Sequence, residues 1–268
     1  MNGVLIKKII ARVFIWSVLF LMYLPIFLLV VFSFSESTAI SFSDFRFGFG
    51  LYAKMFENEE MFAAATNTIV IAAISSFIAT IMGTVACMGI MAMKRRTRSA
   101  VMSLNQVPIV NADIVTAFAV MLFFVAIGIT NAGWFKLILV HTLISVPFVV
   151  LAVLPRFRQL DANLFEAGQD LGASPLRSLF TVVIPQLIPA MISGFFLAFT
   201  LSLDDFVVTL YNNDGVQTIS TYVYGFVKKE PPAELRALSA SIFFIALIGL
   251  LIYNWHAAKK GKVKGRNQ

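Results

Sequence analysis

Long apolar runs recur along this chain, and they constrain its fold more than any other feature. A helix needs about 20 apolar residues to cross the hydrocarbon core of a bilayer. Six runs reach or approach that length, at about Val13–Phe34, Ala63–Met93, Ala100–Ile127, Trp134–Leu154, Gln186–Leu210 and Ala237–Trp255. With 59% hydrophobic and 13% charged residues and 27 Phe, the composition excludes a soluble domain. The sequence predicts an all-α, polytopic membrane protein with six transmembrane helices.

Basic residues predict the orientation of these helices. Of the 21 Lys and Arg residues, 15 lie in the N-terminal segment, the 94–98 turn, the 155–185 segment and the tail. Basic residues concentrate on the cytoplasmic side of membrane proteins, so both termini are expected in the cytoplasm. The net charge of +7 could suggest nucleic acid as a partner. Because these charges lie beside apolar runs, we instead expect membrane lipid as the partner and no nucleic acid.

The same reasoning gives a domain organisation. Residues 1–62 would form an N-terminal transmembrane helix and an outer loop, residues 63–256 a core of five transmembrane helices, and residues 257–268 a basic cytoplasmic tail. A basic start before an apolar run also occurs in signal peptides. The first run has about 22 residues and no small-residue cleavage site after it, so a retained span is favoured.

A polar segment separates the fourth and fifth runs. One apolar helical face is predicted there, from residues at helical spacing: Leu160, Leu164, Ala167 and Leu171. Asp161 is the expected N-cap of this helix, and Gly172 its left-handed C-terminal residue. Ser174 and Pro175 are then the N-cap and first residue of a second short helix. Pro185 closes the segment before the next run.

The same segment resembles the EAA loop of ABC importer permeases. That family pattern is Glu-Ala-Ala, three residues, Gly, nine residues, then Ile-x-Leu-Pro. Here Glu166-Ala167-Gly168 is followed at the same spacing by Gly172 and by Val182-x-Ile184-Pro185. Gly168 replaces the second Ala, and Val and Ile replace Ile and Leu. The alternative is an ordinary cytoplasmic hairpin between two spans.

The resemblance implies the type I ABC importer permease (MetI-like) fold. It also implies that Glu166, Ala167, Gly168, Gly172 and Pro185 couple the chain to an ATPase. The implied partners are a second homologous permease subunit, a dimer of ATPase subunits and an extracytoplasmic substrate-binding protein. The implied location of this chain is the cytoplasmic (inner) membrane of a cell.

Three acidic residues inside the apolar runs are candidates for a substrate pathway. Charged residues within spans are costly and usually face a cavity or a partner. Asp113 lies inside the third run, and Asp204 and Asp205 lie in the outer part of the fifth. The pair would attract cations, or it would simply mark the outer interface where the span ends early. Adjacent positions on a helix point about 100° apart, so unequal roles are expected.

The stretch from Ser202 to Thr209 is similar to that of spermidine/putrescine permease subunits of the C type, as is the Asn67-Thr68 pair. The resemblance implies a polyamine as the transported solute. Three alternatives stay open: a permease for another small solute, a proton-coupled secondary transporter, and a structural or assembly membrane protein.

No enzymatic chemistry is predicted for this chain. It contains no phosphate-binding loop of the G-x4-G-K-[ST] type, so ATP hydrolysis is expected from a separate subunit. Cys87 and two isolated histidines, His141 and His256, indicate no metal site. No cofactor is expected.

Overall fold

The computed structural model describes residues 2–38, 40–161, 163–245, 247–248 and 251. Its α-helices are, in order, α1 (Asn2–Ser33), α2 (Gly50–Glu57), α3 (Glu59–Ala92), α4 (Arg95–Val110), α5 (Asp113–Ala126), α6 (Trp134–Arg158), α7 (Asn163–Asp170), α8 (Pro175–Ser178), α9 (Ile184–Asp204), α10 (Val207–Asn212) and α11 (Ile219–Tyr224). Residues 234–245 are also helical. The chain divides into two compact units, Ala63–Gly225 and a second built from residues up to Phe62 with those from Phe226 onward. The all-α prediction is confirmed.

Four helices in the described ranges are long and apolar enough to cross a membrane, and the count becomes five if one bent pair of helices is counted as a single span. The four are Lys8–Ser33 within α1, then α3, α6, and the continuous helical stretch Pro175–Asp204. They correspond to the first, second, fourth and fifth apolar runs. The end of the predicted sixth span and the predicted basic tail lie outside the described residues, so the count of six stays a prediction.

The third apolar run does not form the single helix expected from hydropathy. It divides into α4 and α5, whose axes differ by 106°. Asn111 and Ala112 have extended backbone angles, with ψ of 147° and 135°. The Asn111 side chain donates to Thr116 Oγ1 across this break (3.0 Å). Asp113 becomes the first residue of α5, where a carboxylate interacts favourably with the positive end of the helix dipole.

The fifth apolar run is also interrupted, and the expectation of a helix continuing to Leu210 is wrong. Helix α9 ends at Asp204, Asp205 is extended with ψ of 124°, and α10 begins at Val207. The reason is local, because the Asp205 side chain binds backbone N–H groups of α10, and this is only possible if the helix ends before it.

Helices α3, α6 and α9 form the core of the Ala63–Gly225 unit. Val149 of α6 lies between two glycines, Gly83 of α3 and Gly194 of α9. A Cβ at Gly83 would lie 2.6 Å from Val149 Cγ1, and one at Gly194 would lie 3.3 Å from the same atom. Small residues let membrane helices approach closely, and their packing replaces the hydrophobic driving force that lipid does not supply.

The other unit contains an aromatic hairpin directly after α1. Glu36 N donates to Arg46 O and Gly48 N to Phe34 O (both 2.8 Å). The ring of Phe34 packs against the rings of Phe47, Phe49 and Tyr52. This segment was predicted as a polar loop, and the structure adds helix α2 within it.

Candidate functional site

The two helix breaks line one cavity within the Ala63–Gly225 unit, with a volume of about 240 Å³. Asp113 comes from the α4–α5 break, and Asp204 and Asp205 come from the α9–α10 break. Helix α6 completes the wall with His141, Ser145 and Phe148 among others. The three acids selected from the sequence are therefore neighbours around one space, although 91 residues separate Asp113 from Asp204 in the chain.

Both carboxylate oxygens of Asp205 accept hydrogen bonds from residues of the same chain. Its Oδ1 accepts from Val208 N (3.2 Å), and its Oδ2 accepts from Thr209 N and Thr209 Oγ1 (both 2.8 Å). Its backbone carbonyl accepts from Ser220 Oγ of α11 (2.9 Å). Carboxylates bind the free N–H groups of a first helical turn strongly. Asp205 therefore fixes the start of α10.

Asp204 differs from its neighbour. It is exposed and has no hydrogen-bond or ion-pair partner in the part of the chain that the structure describes. Asp113 is also exposed, at the start of α5. The two adjacent carboxylates thus have different environments because Asp205 lies outside α9, and the expectation of unequal roles in transport stays a prediction.

A buried histidine of α6, His141, forms part of the cavity wall, and the sequence did not indicate its role. His141 is 4% exposed. Its Nδ1 is 2.7 Å from Ser202 Oγ and its Nε2 is 3.0 Å from Thr209 Oγ1. The sequence does contain a signal for a buried polar contact at His141, because a polar side chain within an apolar span needs hydrogen-bond partners. The sequence could not say which residues those partners are.

The Asn67-Thr68 pair, which belongs to α3, holds the backbone that leads into α11. Asn67 Nδ2 donates to Gln217 O, and Thr68 Oγ1 accepts from Ile219 N (both 2.8 Å). Since Ser220 of α11 binds the Asp205 carbonyl, this pair supports the α9–α10 break through α11.

A second polar contact, also absent from the sequence predictions, joins the first turn of α6 to the loop that follows α10 in the same unit. Lys136 Nζ is 2.9 Å from Asp214 Oδ1, with the two side chains 3% and 14% exposed. Asp214 Oδ2 also accepts from Ala132 N (3.3 Å). The pair fixes the α5–α6 turn to the residues that follow α10.

The segment between α6 and α9 forms the predicted helix–glycine–helix arrangement. Asp161 Oδ1 accepts from Asn163 N (3.0 Å), as an N-cap does. Gly172 is left-handed with φ of +83°. Ser174 caps α8, which begins at Pro175, by accepting from Arg177 N (3.4 Å). These local predictions are confirmed.

The candidate coupling residues occupy different environments in this segment. Glu166 and Ala167 are exposed on α7, whereas Gly168 is buried against Ser178 of α8. Ser178 Oγ donates to Phe165 O (2.8 Å) and so fastens α8 to α7. Pro185 lies in the first turn of α9, which follows a π-helical turn at Leu179–Val183. Leu171 and Leu176 are 90% and 70% exposed beside them.

Comparison with known proteins identifies the family. Residues 76–259 match the family described as the inner membrane component of binding-protein-dependent transport systems. The chain is 28% identical to the spermidine/putrescine transport system permease protein PotC of Haemophilus influenzae, over 92% of this chain and 95% of that protein. It is 29% identical to the putrescine transport system permease protein PotI of Escherichia coli K12, over 91% and 89%.

Solved structures give the same fold. A bacterial ABC transporter involved in the import of the acidic polysaccharide alginate superposes with a TM-score of 0.67 at 19% identity, over 95% of both chains. The transporter in complex with a pentasaccharide-bound periplasmic protein gives 0.64 over 92% of both chains. The fold is that of ABC importer permeases, and the chain belongs to the family of inner membrane components of binding-protein-dependent transport systems.

Proposed function

We propose that this chain is one permease subunit of an ATP-driven importer that moves a polyamine, spermidine or putrescine, across the cytoplasmic membrane. The observation that carries the proposal is the cavity that Asp113, Asp204 and Asp205 line, in which Asp204 has no partner from the described part of the chain. Similarity over most of the chain to polyamine permeases of two bacteria supports the same substrate class.

The chemistry of the cavity suits such a substrate. A polyamine carries two or more ammonium groups on an apolar stem, and its charges lose water when it enters a membrane protein. Fixed carboxylates offset that desolvation. Ile144, Phe148 and Phe206 also line the cavity and offer apolar surface to the methylene stem. An aromatic ring such as that of Phe206 also attracts ammonium groups when one lies over its face.

Uptake by two single variants tests this proposal. We expect Asp204→Asn to reduce uptake of labelled spermidine or putrescine severely and to leave the thermal stability of the complex close to wild type. One charge-assisted hydrogen bond contributes about 1.5–3 kcal/mol, so the loss should be about 10- to 150-fold in transport efficiency. Asp205→Asn should instead lower stability, because its amide cannot accept all the hydrogen bonds that the carboxylate accepts.

Asp44→Asn is the matched control, since Asp44 is exposed in the other unit and does not line the cavity. All variants are compared in membranes with equal amounts of permease. Wild-type uptake by Asp204→Asn would remove the pathway role of that carboxylate. If the wild-type transporter accepts a different small solute and no polyamine, the permease assignment stands and the substrate assignment fails.

The proposal extends to the partners. A second homologous permease would complete the pathway, two ATPase subunits would drive it, and an extracytoplasmic binding protein would deliver the substrate. The coupling role is assigned to Glu166, Ala167, Gly168, Gly172 and Pro185. It is supported by the exposed Glu166 and Ala167 and by the neighbouring exposed leucines, because apolar side chains at a surface suit a protein partner.

The orientation is part of the proposal. A reporter inserted near Asn58 should lie outside the cell and one fused after Gln268 should lie in the cytoplasm. A C-terminal reporter found outside would give an odd number of spans and would contradict the cytoplasmic position of the coupling segment.

A further inference from the structure

The hydrogen bonds around His141 form a continuous polar chain across four helices. Ser75 of α3 is 3.3 Å from Ser202 of α9 (Oγ to Oγ), and Ser202 is bound to His141 of α6. His141 is bound in turn to Thr209 of α10, which donates to Asp205. A chain of this kind holds a helix break in place, because every link joins a different pair of elements.

The Asp205 carboxylate determines which group donates and which accepts in the hydrogen bonds at Thr209. A threonine hydroxyl has one proton, and Thr209 Oγ1 donates it to Asp205 Oδ2 at 2.8 Å. Thr209 Oγ1 can therefore only accept from His141. It follows that His141 Nε2 carries a proton and donates it to Thr209 at 3.0 Å. Asp205 Oδ2 is 3.7 Å from the same nitrogen and lies on the same side of the ring.

We propose that His141 is a positioning residue for the acidic cavity. Through its Nε2–H it holds Thr209, and with it Asp205, on the first turn of α10. The break between α9 and α10 is then fixed in the form that leaves Asp204 exposed to the cavity, with no partner among the residues that the structure describes. His141 also lines the cavity, but the role proposed here acts through Thr209 and Asp205 and does not require contact with the substrate. The consequence for uptake rests on the proposed polyamine pathway, whereas the conformational role does not.

Two amide variants test the hydrogen bonds of the two His141 ring nitrogens separately. The amide nitrogen of a glutamine reaches the position of Nε2, so His141→Gln should keep the hydrogen bond to Thr209 and lose the one to Ser202. The shorter asparagine reaches the position of Nδ1, so His141→Asn should keep the bond to Ser202 and lose the one to Thr209. Both residues are polar and uncharged, which makes them matched controls for each other. His141→Leu removes both contacts.

Cysteine labelling measures the conformation without any assumption about the substrate. Cys87 is the single cysteine of the chain and is fully buried, so Cys87→Ala gives a cysteine-free background. Asp204→Cys is then introduced and labelled with a cationic methanethiosulfonate reagent in vesicles that contain the whole transporter. Phe135→Cys, at a 60% exposed position earlier on the same helix as His141, reports whether α6 itself is disturbed.

We expect labelling of Asp204→Cys to remain near its reference rate with His141→Gln and to fall at least about fivefold with His141→Asn and His141→Leu, the fold-change that one hydrogen bond supports. Labelling of Phe135→Cys should not change. With Asp204 intact, the KM for polyamine uptake should rise in the same two variants. Equal behaviour of the Gln and Asn variants, or an equal change at Phe135→Cys, would overturn the positioning role. If the wild-type transporter takes up no polyamine while the Gln and Asn variants still differ in labelling, the proposed substrate fails and the role of His141 stands.

Discussion

Replacing Gly168 by alanine restores the residue that the EAA pattern has at this position, and we predict that it destabilises this chain. A Cβ at Gly168 would fall on Ser178 Oγ and lie 3.1 Å from Ser178 Cβ. Ser178 would have to rotate and would lose its hydrogen bond to Phe165 O. The glycine and the serine thus form a matched pair that joins α7 to α8.

The magnitude follows from three effects. Overpacking a tight contact costs about 1–3 kcal/mol, and the lost hydrogen bond costs about 1 kcal/mol. Alanine is favoured over glycine within a helix by about 1 kcal/mol, which acts in the opposite direction. The net loss is therefore about 1–3 kcal/mol for Gly168→Ala. The double variant with Ser178→Ala has no hydroxyl at position 178. In it, the higher helix propensity of alanine offsets most of the free energy that is lost with the hydrogen bond.

Hydrogen exchange of residues 163–178 in the purified complex measures this local stability directly. Exchange should accelerate by about 5- to 150-fold in Gly168→Ala, since 1.4 kcal/mol corresponds to a factor of ten. The double variant should return to within about fivefold of the wild type. Since Ser178→Ala alone should cost about 1 kcal/mol, the coupling energy between the two positions should be about 2–4 kcal/mol. Unchanged or slower exchange in the single variant would refute the reasoning, because the serine would then have moved at no cost.

Three further substitutions test other parts of the structure. Gly172→Val places a β-branched residue at φ of +83°, costs about 1–2 kcal/mol and should abolish transport at normal membrane levels, whereas Gly172→Asn should retain it. Glu166→Lys should reduce co-purification of the ATPase subunit, and full co-purification with normal stimulated hydrolysis would contradict a docking role. Lys136→Met leaves Asp214 without its buried cation and should cost about 3 kcal/mol in thermal unfolding of the complex, with recovery on adding Asp214→Asn.

Hydropathy predicted the spans that are regular and missed the places where they break. The boundaries of α3 and α6 lie within a few residues of the apolar runs that predicted them, because each helix satisfies its own backbone in an apolar surrounding. The caps at Asp161, Gly172 and Ser174 were also predictable, since they depend on residues adjacent in sequence. Hydropathy contains no information on backbone angles, so the extended residues at Asn111 and Asp205 stayed hidden.

The site was predicted as a set of candidates and not as an arrangement. An acidic residue in an apolar run is energetically costly in a membrane, and this cost identified Asp113 and the Asp204-Asp205 pair as candidates. The different environments of the two aspartates depend on Thr209, which binds Asp205. Thr209 is bound in turn by His141, 68 residues earlier in the chain. Contacts at such separations follow from helix packing, which no local pattern encodes.

The continuous helical stretch from Pro175 to Asp204 has a mechanical consequence. At 1.5 Å per residue its 30 residues extend about 45 Å, so the segment proposed to meet the ATPase and the free carboxylate of the cavity lie at opposite ends of one rod. Leu187 is buried and Gly194 packs against α6, so this helix is held laterally part-way along its length. If this helix turned about the packed region near Gly194, a tilt of about 5° would move its Pro175 end by about 2.5 Å and Asp204 by about 1.3 Å in the opposite direction. Under the proposed function, a movement of the segment that meets the ATPase would therefore reach the Asp204 carboxylate through a single helix.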